Sequence, residues 1–144
     1  MYDRILAATD GSDHAQRASR HAVDLARVHG ADLHAVYVVE TRTGYDNAIV
    51  DPAEVRANLR AEGEAALAAV AEEAGADTTV VTAIREGVPH EEVGAYVTEH
   101  GIDLVVVAAQ GRSAFKTALL GSTAEALLRV SDAPVLVVGA DEER

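Results

Sequence analysis

Two short segments carry residues whose chemistry suits an anionic or hydroxylated ligand. The first, Thr9-Asp10-Gly11-Ser12, closes a compact apolar run, Arg4-Ile5-Leu6-Ala7-Ala8. A carboxylate at such a turn can take a sugar hydroxyl, a bound metal ion or the free amides of a helix start. Asp, Gly and Ser are also ordinary capping residues, and this segment alone favours capping. The second segment runs from Gly111 through Arg112, Ser113, Ala114, Phe115, Lys116 and Thr117 to Gly121-Ser122-Thr123. Glycines let backbone amides approach a ligand closely, and a helix N-terminus presents unpaired N–H groups and the positive end of its dipole. With the hydroxyls of Ser122 and Thr123 this makes a phosphate cradle. Ser122 also precedes Glu125 by the spacing of a capping box, and a cap can share its amides with a phosphate.

Other chemistries fit poorly. Gly111 to Thr117 (GRSAFKT) has Phe115 where a P-loop needs Gly directly before Lys. No G-x-G-x-x-G dinucleotide fingerprint occurs. His14 and His21 are seven residues apart on one helical pattern, about 10 Å along the axis at a rise of about 1.5 Å per residue, so they cannot share a metal ion. His29, His90 and His100 are scattered and read as solvated or partly packed, and His34, alternating along an apolar run, stays ambiguous. No Ser-His-Asp, paired-carboxylate or two-histidine metal spacing is present, and with no cysteine there are no disulfides, thiolate nucleophiles or Cys-based zinc sites. No dedicated catalytic group is expected.

The elements that must position the two segments follow from periodicity. Asp13 to His29 repeats Ala15, Ala18, Ala22, Leu25 and Ala26 at helical steps, with Gly30 as its stop. Leu33 to Val39 reads as a buried strand, and Glu40 to Val50 as a polar loop. Asp51-Pro52-Ala53-Glu54 begins a helix, Asp51 capping and Pro52 at its first position. Its inward face is Val55, Leu59, Gly63, Ala66, Leu67, Val70 and Ala74. Thr78 to Ile84 is a third strand. Gly87-Val88-Pro89 opens a helix with Val93, Tyr96 and Val97 inward and Gly101 as its end. Asp103 to Ala109 is the most apolar strand and is expected at the centre of the sheet. A helix starts at Ser122, and Val135 to Val138 is the last strand. Alternating strands and helices, with continuously apolar strands, specify a small doubly wound (Rossmann-like) α/β fold: a five-stranded parallel sheet with helices on both faces. Such sheets bind ligands beyond the carboxyl ends of the strands where the winding reverses. That rule selects the loops after the first and fourth strands, which are the two segments above.

Size and charge set the outer bounds. The chain has 144 residues, 49% of them hydrophobic, with 24 acids against 12 bases and a formal net charge of −12. It is long enough for one domain with a core, and residues 1–144 are expected to form one. No apolar run approaches the roughly 20 residues of a membrane span, and the N-terminus lacks the shape of a signal peptide, so a cytoplasmic protein is expected. Dispersed acidity repels nucleic acid and anionic membranes, and neither is expected as a partner. Eleven of the twelve bases are Arg and the only Lys is Lys116. That scarcity, with abundant alanine, points to a salt-adapted source, such as a halophilic archaeon.

The sequence resembles the universal stress proteins over essentially its whole length. The resemblance rests on Ile5 to Ser12 (ILAATDGS), Asp103 to Ser122 (DLVVVAAQGRSAFKTALLGS) and Ala133 to Val138 (APVLVV), with Gly87-Val88-Pro89 as a further match. The family's nucleotide-binding members carry Gly, two residues, Gly, nine residues, then Gly and Ser or Thr. Here nine residues separate Gly111 from Gly121-Ser122, but the first Gly of the pattern falls at Ala108, where a methyl group crowds a ligand that lies close to it and is tolerated where φ is negative.

The resemblance implies roles for individual residues. Ala8, Thr9 and Asp10 lie along an adenosine, Asp10 towards the ribose or a Mg²⁺ or Mn²⁺ ion. Val38 offers a backbone contact to adenine, Val107 and Ala108 lie near the sugar, and Gly111, Gly121, Ser122 and Thr123 hold phosphates. It also implies ATP, ADP or AMP as ligand and a homodimer formed through Val135 to Val138. A chain at −12 must compensate an anionic nucleotide locally. Arg112 is therefore expected to face the phosphates, and Lys116 either joins it or stays solvated. The function expected is a dimeric, nucleotide-dependent stress switch. The alternatives are a slow ATP hydrolase, or a scaffold in which Ala108 closes the site.

Overall fold

The computed structural model describes residues 2–40, 52–110 and 121–139. Nine elements follow one another: β1 (Arg4–Thr9), α1 (Asp13–His29), β2 (Asp32–Glu40), α2 (Pro52–Ala74), β3 (Val80–Gly87), α3 (Pro89–His100), β4 (Leu104–Ala108), α4 (Ser122–Val130) and β5 (Val135–Val138). All strands are parallel, in the order β3-β2-β1-β4-β5. The five-stranded α/β fold expected from the sequence is the fold observed. The centre differs: β1 is the middle strand, and β4 lies between β1 and β5. β4 is more apolar than β1, but both have strand neighbours on each side, and burial on two faces does not distinguish the middle of a sheet from the next position.

Alternation along the strands separates two layers. Ile5 and Ala7 of β1, Leu33, Ala35, Tyr37 and Val39 of β2, and Leu104, Val106 and Ala108 of β4 pack with α1 and α2. Leu6, Val36, Val105 and Val107 point the other way and pack with Val93, Tyr96 and Val97 of α3 and Ala124 and Leu127 of α4. Period-two alternation thus places successive residues of one strand in different cores. β3 runs on through Arg85 and Glu86 where the sequence suggested an end at Ile84. It is an edge strand, half open to solvent, so charged residues are accommodated without breaking the ladder.

Polar contacts fix the ends of the elements. Gly30 and Gly101 close α1 and α3 in the left-handed conformation, at φ 64° and 61°. Asp103, read from sequence as the first strand residue, is instead a clamp. Its carboxylate accepts from the Asp3 and Arg4 amides at 2.8 and 2.9 Å, and its own amide donates to the Arg4 carbonyl. The two amide donors hold its pKa below the usual carboxylate value. The expected cap Asp51 and the loop from 41 to 50 lie outside the described residues.

α2 approaches the sheet closely at Gly63. A Cβ there would stand 2.6 Å from Cδ1 of the buried Tyr37 ring. Gly63→Ala gains up to about 1 kcal/mol of helix propensity, but overpacking of a filled interior costs about 1–3 kcal/mol. The expected outcome is a lower urea midpoint, by about 1–2 kcal/mol of stability. A raised midpoint would mean that the ring moves aside freely.

Candidate functional site

The carboxyl ends of β1 and β4 form the point where the winding reverses. β1 pairs with β2 along its whole length, from Arg4↔Asp32 to Thr9↔Tyr37. β4 pairs with β5 out to Ala108↔Val138. Between β1 and β4 the register stops at Ala7↔Val106. The last residues of both strands, Ala8-Thr9 and Val107-Ala108, therefore continue without a β-bridge between them. The β1–β4 ladder thus ends before its strands do, at the position where a doubly wound fold receives a ligand.

On the β1 side, backbone and side-chain bonds shape the turn. Gly11 has φ +81°, and its amide donates to Thr9 Oγ1 at 3.1 Å. Asp10 Oδ1 accepts from the Ser12 amide at 2.9 Å. Ser12, not Asp10, is the N-cap of α1: its Oγ accepts from the Ala15 amide at 3.1 Å. The capping expected of this segment is real but belongs to Ser12. Asp10 stands two residues before this cap, partly buried at the strand end.

On the β4 side, α4 begins differently. Its N-cap is Gly121, which has no side chain to offer, and no side-chain cap is formed. The capping box expected between Ser122 and Glu125 is absent, because Ser122 already lies inside the helix; the Glu125 amide bonds the Gly121 carbonyl instead. The Gly121 amide donates to the Ala109 carbonyl, and the Ala109 amide to the Val138 carbonyl. The start of α4 is thus tied directly to the end of β4, and its first-turn amides have no side-chain cap among the described residues. Sequence reasoning missed Ala109, whose role is carried by backbone atoms and leaves no trace in residue type.

The structure brings most of the expected site residues together. Ala8, Val38 and Val107 share the face of the sheet covered by α3 and α4, with Thr9 and Asp10 at the end of β1 and Gly121, Ser122 and Thr123 at the start of α4. Ala108 is the exception. Its methyl belongs to the opposite core, with α1 and α2, and the residue is 8% exposed. Gly111, Arg112 and Lys116 lie outside the described residues. Of the scattered histidines, His29 rests edge-on against Tyr2 and His100 stacks on Tyr96. Among the described residues no three His, Asp or Glu side chains gather in a metal-binding group. No described helix is long and apolar enough to cross a membrane.

These features define a class: a doubly wound α/β protein whose β1–β4 pairing ends at Ala7↔Val106, beside a helix with glycine at its N-cap. The chain belongs to the universal stress protein family, whose model matches residues 1–139. It is 34% identical to universal stress protein MJ0531 of Methanocaldococcus jannaschii, over 96% of this chain and 82% of that protein. Its fold is similar to that of MJ0577 from the same organism, with a TM-score of 0.87, 26% identity and 99% of each chain covered. It is also similar to a universal stress protein crystallised in complex with cAMP, with a TM-score of 0.73, 26% identity, and 95% of this chain and 97% of that one covered.

The position of Ala108 makes a claim about stability. Ala108→Gly removes a buried methyl, worth about 0.8 kcal/mol, and adds about 0.5–1 kcal/mol of backbone entropy cost. Chemical denaturation should show a loss of about 1–2 kcal/mol. An unchanged midpoint would mean that the methyl lies outside the core.

Proposed function

We propose that this stress protein binds an adenine nucleotide, ATP in particular, at the opening between β1 and β4, and that it acts as a dimeric nucleotide-dependent switch in the cytoplasm. The observation that carries this reading is the start of α4, tied to the end of β4 and without a side-chain cap among the described residues. A phosphate is the complement of the amides and dipole at a helix N-terminus. Gly121, Ser122 and Thr123 would hold it, with Gly111 and Arg112 from the preceding loop. Ala8, Val38 and Val107 offer an apolar flank for the adenosine, and Thr9 and Asp10 meet the sugar. Asp10, whose Oδ1 accepts from the Ser12 amide, is the proposed carboxylate contact for a Mg²⁺ or Mn²⁺ ion brought in with the nucleotide. A relative crystallised with cAMP supports an adenine nucleotide as the ligand class. Ala108, turned into the other core, is compatible with an open site and argues against the scaffold reading.

A second protomer is proposed on β5. The strand is an edge, and Leu136 on it is 38% exposed; Leu128 and Val130 on neighbouring α4 are 52% and 56% exposed. An apolar edge strand invites pairing with another copy.

Denaturing freshly purified protein and analysing the released small molecules tests the ligand. A near-stoichiometric adenine nucleotide is expected. None released, and no calorimetric ATP binding at high salt, would overturn the proposal. Arg112→Ala should weaken ATP by roughly tenfold, as loss of a charge-assisted contact does, while adenosine changes little; equal loss for both removes Arg112 from the phosphates. For the dimer, Leu136→Glu should shift the protein to monomer in light scattering, and an unaltered mass would place the interface elsewhere.

A further inference from the structure

We infer that His34, Tyr96 and His100 form a proton-sensitive latch that holds α3 against the β2–β3 edge and loosens on acidification. His34 projects from β2 into the α3 side of the sheet and is 7% exposed. Its Nδ1 lies 2.6 Å from the hydroxyl of Tyr96, one of the largest fully buried side chains. His100, one turn further along α3, stacks on Tyr96 with ring centroids 3.9 Å apart, and its ring is 5.5 Å from that of His34. Arg85 of β3 reaches the same phenol, its guanidinium carbon 5.1 Å from the ring centroid. Arg85 is itself gripped by α3, through Glu99 and, at 3.7 Å, Glu92. One buried tyrosine on α3 thus meets β2, β3 and its own helix.

The latch fits a neutral His34. In that state Nδ1 accepts from the Tyr96 hydroxyl and Nε2 carries the proton. Protonation puts a donor on Nδ1, so the phenol must reverse its role, and it leaves a cation in a desolvated place. The surrounding charges oppose that cation on balance. His100 on α3 and Arg4 on β1 disfavour it, and Asp32 on β2 is the single carboxylate that favours it. Glu92 and Glu99 are engaged by Arg85. Burial first, and then His100, lower the pKa of His34 below its ordinary 6.5. The unfolded chain therefore binds the proton more readily than the folded one. Stability is full above about pH 6.5 and falls as the pH drops from there towards the folded value.

The position of the latch gives this a consequence at the proposed site, and that part rests on the nucleotide reading above. Arg85 pairs in register with Val38, and Gly87, which leads into α3, pairs with Glu40. Loosening α3 frees Arg85 beside the strand end where adenine would rest. Acid would then weaken nucleotide binding through the far edge of the sheet.

The test needs no ligand in its first arm. The His34 imidazole of the folded wild type, followed by NMR from pH 8 to 5, should titrate below 6.5; titration at or above 6.5 overturns the latch. Urea unfolding over the same range compares wild type with His34→Gln, whose amide oxygen can still accept from Tyr96 but cannot take a proton. Below pH 6 the wild-type unfolding constant should rise faster than the variant's, by up to about tenfold per pH unit, the limit for one proton. Parallel pH profiles also overturn the proposal. His100→Ala should make the wild-type slope shallower, which keeps the second arm decisive if His34→Gln fails to fold. Nucleotide calorimetry at pH 7.5 and 5.5 is read separately: binding at neither pH refutes the ligand and leaves the latch standing, and equal binding at both refutes the link between latch and site.

Discussion

The β1–β4 pairing is the interaction on which the rest of the architecture turns. It is short, from Ile5↔Leu104 to Ala7↔Val106, yet it joins the two halves of the sheet. β1 and β2 lead outward in one direction to β3, and β4 leads outward in the other to β5. Parallel strands need crossovers, so the helices before and after this seam must leave towards opposite faces. The same seam stops before the strands do. Each strand stays bonded on its outer side to its last residue, so the parting does not cost either strand its place in the sheet. A gap is thereby built at the carboxyl edge without unpairing the fold.

What fills the two sides of that gap depends on which core each residue serves. Strand alternation sends Ala8 and Val107 to one face and Ala7 and Ala108 to the other. A glycine replaced by alanine at position 108 is therefore a question of direction, not size. Had alternation placed residue 108 beside Ala8 and Val107, its methyl would narrow the gap. In the observed register it pads the α1–α2 core opposite. The same logic explains Gly63, where the tolerance is reversed: the side chain that α2 lacks is supplied by the Tyr37 ring from the strand below.

Much of this is legible in the chain, and what is not has a physical cause. Helical steps of alanine and leucine, glycine stops and β-branched runs locate every element, because each of these signals is local. The two ligand loops follow from counting strands, since the position where winding reverses is a topological property. Asp10 and Ser12 divide roles that the sequence leaves joined, because capping depends on which residue has extended φ and ψ, and that is decided by Gly11 between them. Ser122 and Glu125 show the opposite case. Their spacing is that of a capping box, but the helix starts one residue early, where the Gly121 amide is captured by the Ala109 carbonyl. Asp103 and His34 were illegible for a simpler reason: their partners, Asp3 and Tyr96, are distant in sequence.

The acidic composition bears on this seam from outside. A chain at −12 presents an unfavourable field to any polyanion, screened over about 8–10 Å at ordinary ionic strength. The described parts of the gap answer with dipoles and apolar surface, not with fixed cations: α4 begins at an uncapped glycine, and the flank is Ala8, Val38 and Val107. Backbone dipoles are not screened from a ligand that sits directly on them, whereas the dispersed carboxylates are. Raising salt therefore removes the repulsion before it removes the attraction. On the proposed reading, a protein of this charge therefore holds an anion better as salt rises, because screening acts on the dispersed carboxylates before it acts on the dipole in contact with the ligand.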